Sequence, residues 1–273
     1  MTCPVMICVA PNGGRKTKLD HPNLPMTATE LAYTAAECFE HGASMLHMHI
    51  RDNQGLHTLD TDLYKSALKN VRRAVGPDMI IQITTESVGK YTSDQQMEVV
   101  RQVKPEAVSI ALRELCPSQH EESPAGEFFR WMMRESISPQ YILYSPDDVE
   151  RFNYLRQIGV IPGDEVAVLL VLGAYHQSIH ADPNDVLPMK NRLTKQTIWS
   201  ACAFGGRELE CVLRAANLGG HVRVGFENNL LLASGERSLA NGQLVRQVRE
   251  SLDVGGHRIA TSIQARNLLN MLQ

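Results

Sequence analysis

Strand-like and helix-like runs alternate from one end of this chain to the other, and few folds accommodate that pattern. The strand-like runs are Val5–Ala10, Ala43–His49, Met79–Thr84, Ala107–Ala111, Gln140–Tyr144, Val166–Leu172, Ile198–Phe204 and His221–Phe226. Between them the spacing predicts helices near Thr27–His41, Thr61–Val75, Ser93–Val103, Gly126–Ser136, Pro146–Ile158, Pro183–Leu193 and Arg207–Leu218. Two more are predicted near Asn241–Leu252 and Ser262–Leu272. Thr27 with Glu30 has the form of a capping box at the first helix start. Eight strand–helix units in succession predict a (β/α)8 TIM barrel rather than a doubly wound sheet. A barrel of about 250 residues is an ordinary single domain. No linker or composition shift divides the 273 residues, so one domain over 1–273 is expected.

Active sites in such barrels sit at the C-terminal ends of the strands. The second strand ends in Met45-Leu46-His47-Met48-His49. Residues two apart on a strand share a face, so both imidazoles point the same way, spaced for two cis ligands of one metal. A lone buried histidine would read as structural; a pair on one face points to a metal site. Glu227, ending the eighth strand in Gly225-Phe226-Glu227, is the candidate third ligand, with Arg223 four residues upstream. In a closed barrel strand eight neighbours strand one, which neighbours strand two, so the three fall on one sector of the rim. Two His and a carboxylate with open positions form a catalytic zinc set. Iron(II) or manganese could use the same ligands. Asn12 and Arg15 after the first strand, Thr84, Thr85 and Glu86 after the third, and Ser109 and Arg113 around the fourth fall on the same rim. Each is also a residue type that loops carry for mundane reasons.

Composition sets the outer limits. A formal net charge of −3 gives no push toward nucleic acid or an anionic membrane. No apolar run approaches the roughly 18–20 residues of a membrane span, and Met1-Thr2-Cys3-Pro4-Val5 lacks the layout of a signal peptide. The six cysteines show no paired spacing, and Cys8, Cys38, Cys202 and Cys211 sit in apolar contexts that suit reduced core residues. A cytoplasmic protein is expected.

The segments Ala35–Asp52 and Gly219–Asn229 resemble those of the beta-keto acid cleavage enzymes, through a His-x-His-x-Arg-Asp run and a Gly-Gly-His-x-Arg-Val-Gly-x-Glu run. The resemblance covers nearly the whole chain, including Leu24-Pro25-Met26-Thr27, Gln82-Ile83-Thr84-Thr85 and Ala203-Phe204-Gly205. It implies a (β/α)8 barrel, usually a homotetramer, with a divalent metal, normally zinc. It implies a reaction of a β-keto acid with acetyl-CoA that yields acetoacetate and a new acyl-CoA. It places the metal on His47, His49 and Glu227, the catalytic arginine on Arg223, and hydroxyl donors on Thr84 and Ser109. CoA phosphates would need donors, and Gly205-Gly206-Arg207 at the top of strand seven is a candidate cradle, although Gly-Gly equally makes a plain turn.

Two positions depart from the family's best-studied branch. Asn228 stands where that branch has an aspartate proposed as the base. An amide cannot take a proton at neutral pH, so the base lies elsewhere, with Glu86 one candidate, or is a hydroxide held by the metal. Arg15 stands where the branch has a glutamate that pairs with a substrate amine. An arginine would repel that amine and could instead grip a carboxylate. A neutral or anionic keto acid is therefore expected, rather than 3-keto-5-aminohexanoate, with Arg15 and Asn12 as substrate contacts. Two other readings use the same ligands: a metal-dependent aldolase or hydrolase that needs no thioester, and a ligand-binding barrel that lost catalysis at Asn228.

Overall fold

The computed structural model describes residues 3–174 and 181–271. Eight parallel strands close into a barrel: β1 Ile7–Val9, β2 Met45–Met48, β3 Ile80–Thr84, β4 Ala107–Ala111, β5 Ser138–Leu143, β6 Val166–Leu172, β7 Thr197–Ala203 and β8 His221–Val224. Each strand pairs with its sequence neighbours. The ring closes through Ile7↔Val222, Cys8↔Arg223 and Val9↔Val224 between β1 and β8. The longer helices are α1 Ala28–Glu40, α2 Thr61–Val75, α3 Ser93–Val103, α4 Glu122–Arg134, α5 Pro146–Gln157, α6 Val186–Lys190, α7 Glu208–Asn217, α8 Asn241–Val254 and α9 Ser262–Leu268, and a single helical turn, Leu112–Leu115, follows β4. This is the (β/α)8 architecture expected from the alternation.

Strand alternation sorts the side chains. Ile81 and Ile83 of β3, Val108 and Ile110 of β4 and Val168 and Leu170 of β6 face outward and join one continuous core with the helices. The inward residues form layers. At the bottom, Met6, Cys8, Met45, Ile80, Ala107 and Ala167 pack against Ala260, Ala265 and Leu269, so the C-terminal segment shuts the barrel floor. Arg266 of α9 ties that plug to the body through Glu106 at 3.0 Å and the Pro77 carbonyl at 3.0 Å. Higher up the layer turns polar: His47, Gln82, Ser109, Gln140, Ser200 and Arg223 are all buried. On the β5–β7 side, Ile142, Leu169, Val171 and Cys202 keep the upper wall apolar.

Several boundaries differ from expectation for identifiable reasons. β8 stops at Val224 because Gly225 takes φ +139°, which turns the chain. The helix expected from Gly126 begins at Glu122, after a 3-10 turn over Gln119–Glu121 capped by Ser118. The run expected as a helix from Pro183 to Leu193 splits into a 3-10 turn over Pro183–Asp185 and the short α6. α9 ends at Leu268, short of the expected Leu272, which itself lies outside the described residues. A small hairpin pairs Ile50–Arg51 with His57–Thr58; its turn is fixed by Asp52 Oδ1, which accepts from the Gln54 and Leu56 amides at 2.9 Å.

Gly225 is the tightest backbone position in the fold's working half. A Cβ there would be driven into the Ala10 carbonyl, and a positive φ disfavours any L side chain. Gly225→Ala is expected to cost about 3 kcal/mol or more, lowering Tm by roughly 6–10 °C. Gly89→Ala, at φ +74° with open space around it, is the comparison and should cost about 1 kcal/mol. Thermal melts of the two variants beside the unaltered protein check this.

Candidate metal centre and reaction cavity

His47 and His49 sit at the end of β2 on its inward face, as the strand period requires. Their Nε2 atoms are 3.1 Å apart. Glu227 Oε2 lies 3.5 Å from His47 Nε2 and 3.4 Å from His49 Nε2. All three side chains are buried. Ligands held about 2.1 Å from a tetrahedral ion are spaced ~3.4 Å from each other, so this triangle has the dimensions of one coordination face.

The protonation states fit that purpose. Burial is the largest influence on both imidazoles, pushing His47 down to about 4 and His49 to about 3, so both are neutral at pH 7. His47 Nδ1 bonds Gln82 Oε1 at 2.8 Å. Gln82 Nε2 donates onward to Gln140 Oε1 at 3.3 Å, and Gln140 Nε2 to Ser200 Oγ at 3.5 Å. Each amide in that relay is oriented by the next. The relay therefore puts the His47 proton on Nδ1 and leaves the Nε2 lone pair facing the triangle. Burial works against the Glu227 carboxylate, yet Arg223 Nη2 at 3.1 Å helps hold its pKa well below the usual carboxylate range. Glu227 Oε2 has no hydrogen-bond donor. His47 Nε2 and Glu227 Oε2 thus turn lone pairs to one point in a buried site, and His49 Nε2 adds a third in its Nδ1–H tautomer, an arrangement that suits a cation.

The backbone carrying these ligands is clamped. Asn12 Oδ1 accepts from His49 N at 3.2 Å, while its amide donates to the His49 carbonyl at 2.9 Å and the Pro25 carbonyl at 3.0 Å. Arg51 donates to the carbonyls of Gly13, Gly14, Lys16 and Gly55, fixing the loop after β1. The turn that presents Glu227 is bonded at nearly every peptide. Glu227 N donates to Ala10 O at 3.1 Å and Phe226 N to Asn241 Oδ1 at 2.9 Å. Gly225 N and Asn229 Nδ2 donate to the two oxygens of Glu208, each at 3.3 Å. Lys16 Nζ donates to the Glu227 carbonyl.

Above the triangle opens a cavity of about 530 Å³. Arg15, Thr84, Glu86, Ser109, Arg113 and Arg223 line it together with the three candidate ligands. Thr84 Oγ1 accepts from Glu86 N at 3.0 Å, which leaves its hydroxyl hydrogen to donate. Ser109 pairs with Thr84 in register, and its buried Oγ has no bond. Glu86 reaches Arg15 at 3.6 Å and His49 Nδ1 at 3.6 Å. Burial, then the Glu227 charge, raise it to about 7 against the pull of Arg15.

A model of the beta-keto acid cleavage enzymes matches residues 4–271. The chain belongs to the beta-keto acid cleavage enzyme family. It is 26% identical over 272 residues to a 3-keto-5-aminohexanoate cleavage enzyme of Acetoanaerobium sticklandii, covering 98% of each chain. It is 26% identical over 280 residues to a 3-oxoadipate:acetyl-CoA acetyltransferase of Cupriavidus necator, covering 99% of this chain and 96% of the relative. The fold matches ObcA, solved as a ternary complex with a C4-CoA adduct and oxalate. That match has a TM-score of 0.75 at 17% identity, over 91% of this chain and 68% of that one.

Within this family frame, three sequence expectations need revision. Asn12 is not a substrate contact: its carboxamide is fully engaged in holding the His49 backbone, and it does not line the cavity. Asn228, expected among the site residues although unable to act as the base, does not line the cavity. It points its Oδ1 at Arg223 Nη2, 3.2 Å away, and so orients that guanidinium from outside the cavity. The Gly205-Gly206-Arg207 cradle is otherwise occupied. Gly205 N donates to the Asn228 carbonyl, Gly206 lies against Leu231, and Arg207 is bound by Asp182 at 3.0 Å and Glu210 at 2.8 Å. Sequence reasoning also missed four residues of the site. Gln82 had a legible signal, since its even spacing from Ile80 and Thr84 puts it on the inward face. His57, whose ring is 5.1 Å from that of His49, Lys16 and Glu208 had none, because loops or a helix end bring them there.

Glu208 has a testable signature. Burial raises its carboxyl from 4.5 to about 8, despite bonds from Asn229 and Gly225. Between those values the unfolded chain has lost a proton that the folded chain keeps, so this group's contribution to stability declines as pH climbs from about 4.5 to about 8, then levels off. Glu208→Gln is expected to flatten that part of the Tm profile, read by thermal melts at about pH 5 and about pH 8.5.

Proposed function

We propose that this chain condenses a β-keto acid with acetyl-CoA and cleaves the adduct to acetoacetate and a new acyl-CoA, using a divalent metal held by His47, His49 and Glu227. The observation that carries the reading is the buried triangle of two neutral imidazole nitrogens and one carboxylate oxygen at 3.1–3.5 Å, opening onto a cavity lined by hydroxyl and guanidinium donors. A divalent ion held there would supply Lewis acidity toward the carbonyl oxygens of a β-keto acid. Two His and one Glu suit zinc. Homotetrameric assembly and a cytoplasmic setting belong to the same reading.

The protein's own groups divide the remaining work. Glu86, on the cavity wall, takes the proton from the substrate carbon, the task that Asn228 cannot perform. Thr84 and Ser109 donate hydrogen bonds to the oxygen on which charge builds. Arg223, locked by Glu227 and Asn228, adds a fixed positive charge that needs no reorganisation as the reaction proceeds. The apolar wall of Ile142, Val171 and Phe204 excludes water around the thioester carbon. Relatives named for acetyl-CoA-dependent acyl transfer support the acceptor.

Acetoacetate should form only when a β-keto acid, acetyl-CoA and metal are all present. Turnover of the keto acid without acetyl-CoA, followed by coupled assay, would overturn the proposal in favour of an aldolase or hydrolase. Gln82→Ala, which frees His47 Nδ1, should weaken zinc binding by about 10–100-fold with the fold intact. Competition against a chromophoric chelator reads that change directly.

A further inference from the structure

Three arginines line the cavity, and they are not equivalent. Arg223 faces Glu227 at 3.1 Å, and Arg15 faces Glu86 at 3.6 Å, so each meets a carboxylate. Among the described residues, Arg113 has no carboxylate oxygen within ion-pair distance. Instead its guanidinium sits over the ring of Tyr144, 3.6 Å from the centroid. The neighbouring Glu114 is committed elsewhere, accepting from Ser87 N at 3.0 Å and Gln96 Nε2 at 2.8 Å.

A guanidinium over an aromatic face is held in place while its N–H groups, which radiate from the edge, stay available to a planar acceptor. Arg113, in the helical turn Leu112–Leu115 after β4, and Tyr144, directly after β5, follow adjacent strands and share the cavity with the candidate metal ligands. Ala111, Ile142, Val171 and Leu172 line the same space with apolar atoms. The cavity therefore offers a metal-binding end, an apolar stretch and a second cationic contact.

We propose that Arg113, supported by Tyr144, is a specificity determinant that binds a distal carboxylate of the β-keto acid, so that the preferred substrates are 3-oxo dicarboxylic acids. This rests on the function proposed above and extends it from keto acids in general to dianionic ones. A CoA phosphate is the other anion that could reach this arginine. The site suits it less well: Glu86, Glu114 and Asp185 also line the cavity, and their repulsion rises with the charge of the ligand. A carboxylate carries one charge and matches the guanidinium fork bidentately.

The test compares 3-oxo dicarboxylic acids with 3-oxo monocarboxylic acids of matched chain length, each with acetyl-CoA and zinc. The unaltered protein should prefer the diacid. In Arg113→Leu the diacid-to-monoacid ratio of kcat/KM should fall by about ten- to a hundredfold, the range for losing a hydrogen bond to a charged group. Arg113→Lys, which keeps the charge but not the fork, should recover part of that ratio. Absence of a diacid preference in the unaltered protein overturns the proposal. So does a raised KM for acetyl-CoA with an unmoved ratio, which would assign Arg113 to a CoA phosphate. If no keto acid turns over at all, the reaction proposed above fails, but the subsite is still decided by calorimetry. The 3-hydroxy diacid should bind the zinc-loaded protein more tightly than the 3-hydroxy monoacid, and Arg113→Leu should erase the difference. Equal binding of the two by the unaltered protein overturns the subsite.

Discussion

Two imidazole nitrogens and a carboxylate oxygen are held within 3.5 Å of each other with lone pairs converging. Nothing about such a contact is favourable by itself. Burial keeps both rings neutral, with one proton each, and Arg223 keeps the carboxylate ionised, so no imidazolium is there to offset the negative charge. The surrounding chain absorbs the cost. Asn12 grips both backbone polar groups of His49, and Asn241 joins the turn after β8 to the loop after β1, donating to the Pro11 carbonyl at 3.1 Å. A set of ligands so firmly pre-positioned binds a cation without having to reorganise.

The barrel interior explains how a buried polar site is tolerated. Its lowest layer is apolar and sealed, which provides stability. Its middle layer is polar but almost fully bonded, through the relay from His47 to Gln82, Gln140 and Ser200. Buried polar groups are costly only when unmatched. Unmatched atoms in this region are Ser109 Oγ, Glu227 Oε2, His49 Nδ1, Arg223 Nε and Asn228 Nδ2, and all but the last belong to residues that line the cavity. The unmatched atoms therefore mark where the protein expects something else to bind. The thiols nearby play no such part: burial raises Cys8 to about 12 and Cys202 to about 11, which keeps both protonated.

Much of this was legible in the sequence because strand alternation is a strong physical signal. All eight strands lie where apolar runs predicted them, since a barrel strand is covered on both faces. Two histidines two residues apart had to share a face. What the sequence did not reveal came from contacts without a period. Glu208 starts α7 yet serves the turn after β8, and Lys16 folds back from a loop to the Glu227 carbonyl. Asn12 and Arg207 were assigned to ligands because both are polar residues beside a site. Local sequence says nothing about whether a carboxamide or guanidinium already has partners, and both do. Arg15 and Arg113 raise the same difficulty in reverse: the opposing carboxylate that distinguishes them is far away in sequence for one and, among the described residues, missing for the other.

The plug built from Ala260, Ala265 and Leu269 has a kinetic consequence. With the floor stoppered, traffic to the histidines runs through the upper mouth, by which products must also depart. On the proposed reaction, a keto acid seated at the histidines would have to arrive before the bulky thioester and would be trapped beneath it until the thioester withdraws. Such a dead-end geometry favours a compulsory order of arrival over random access.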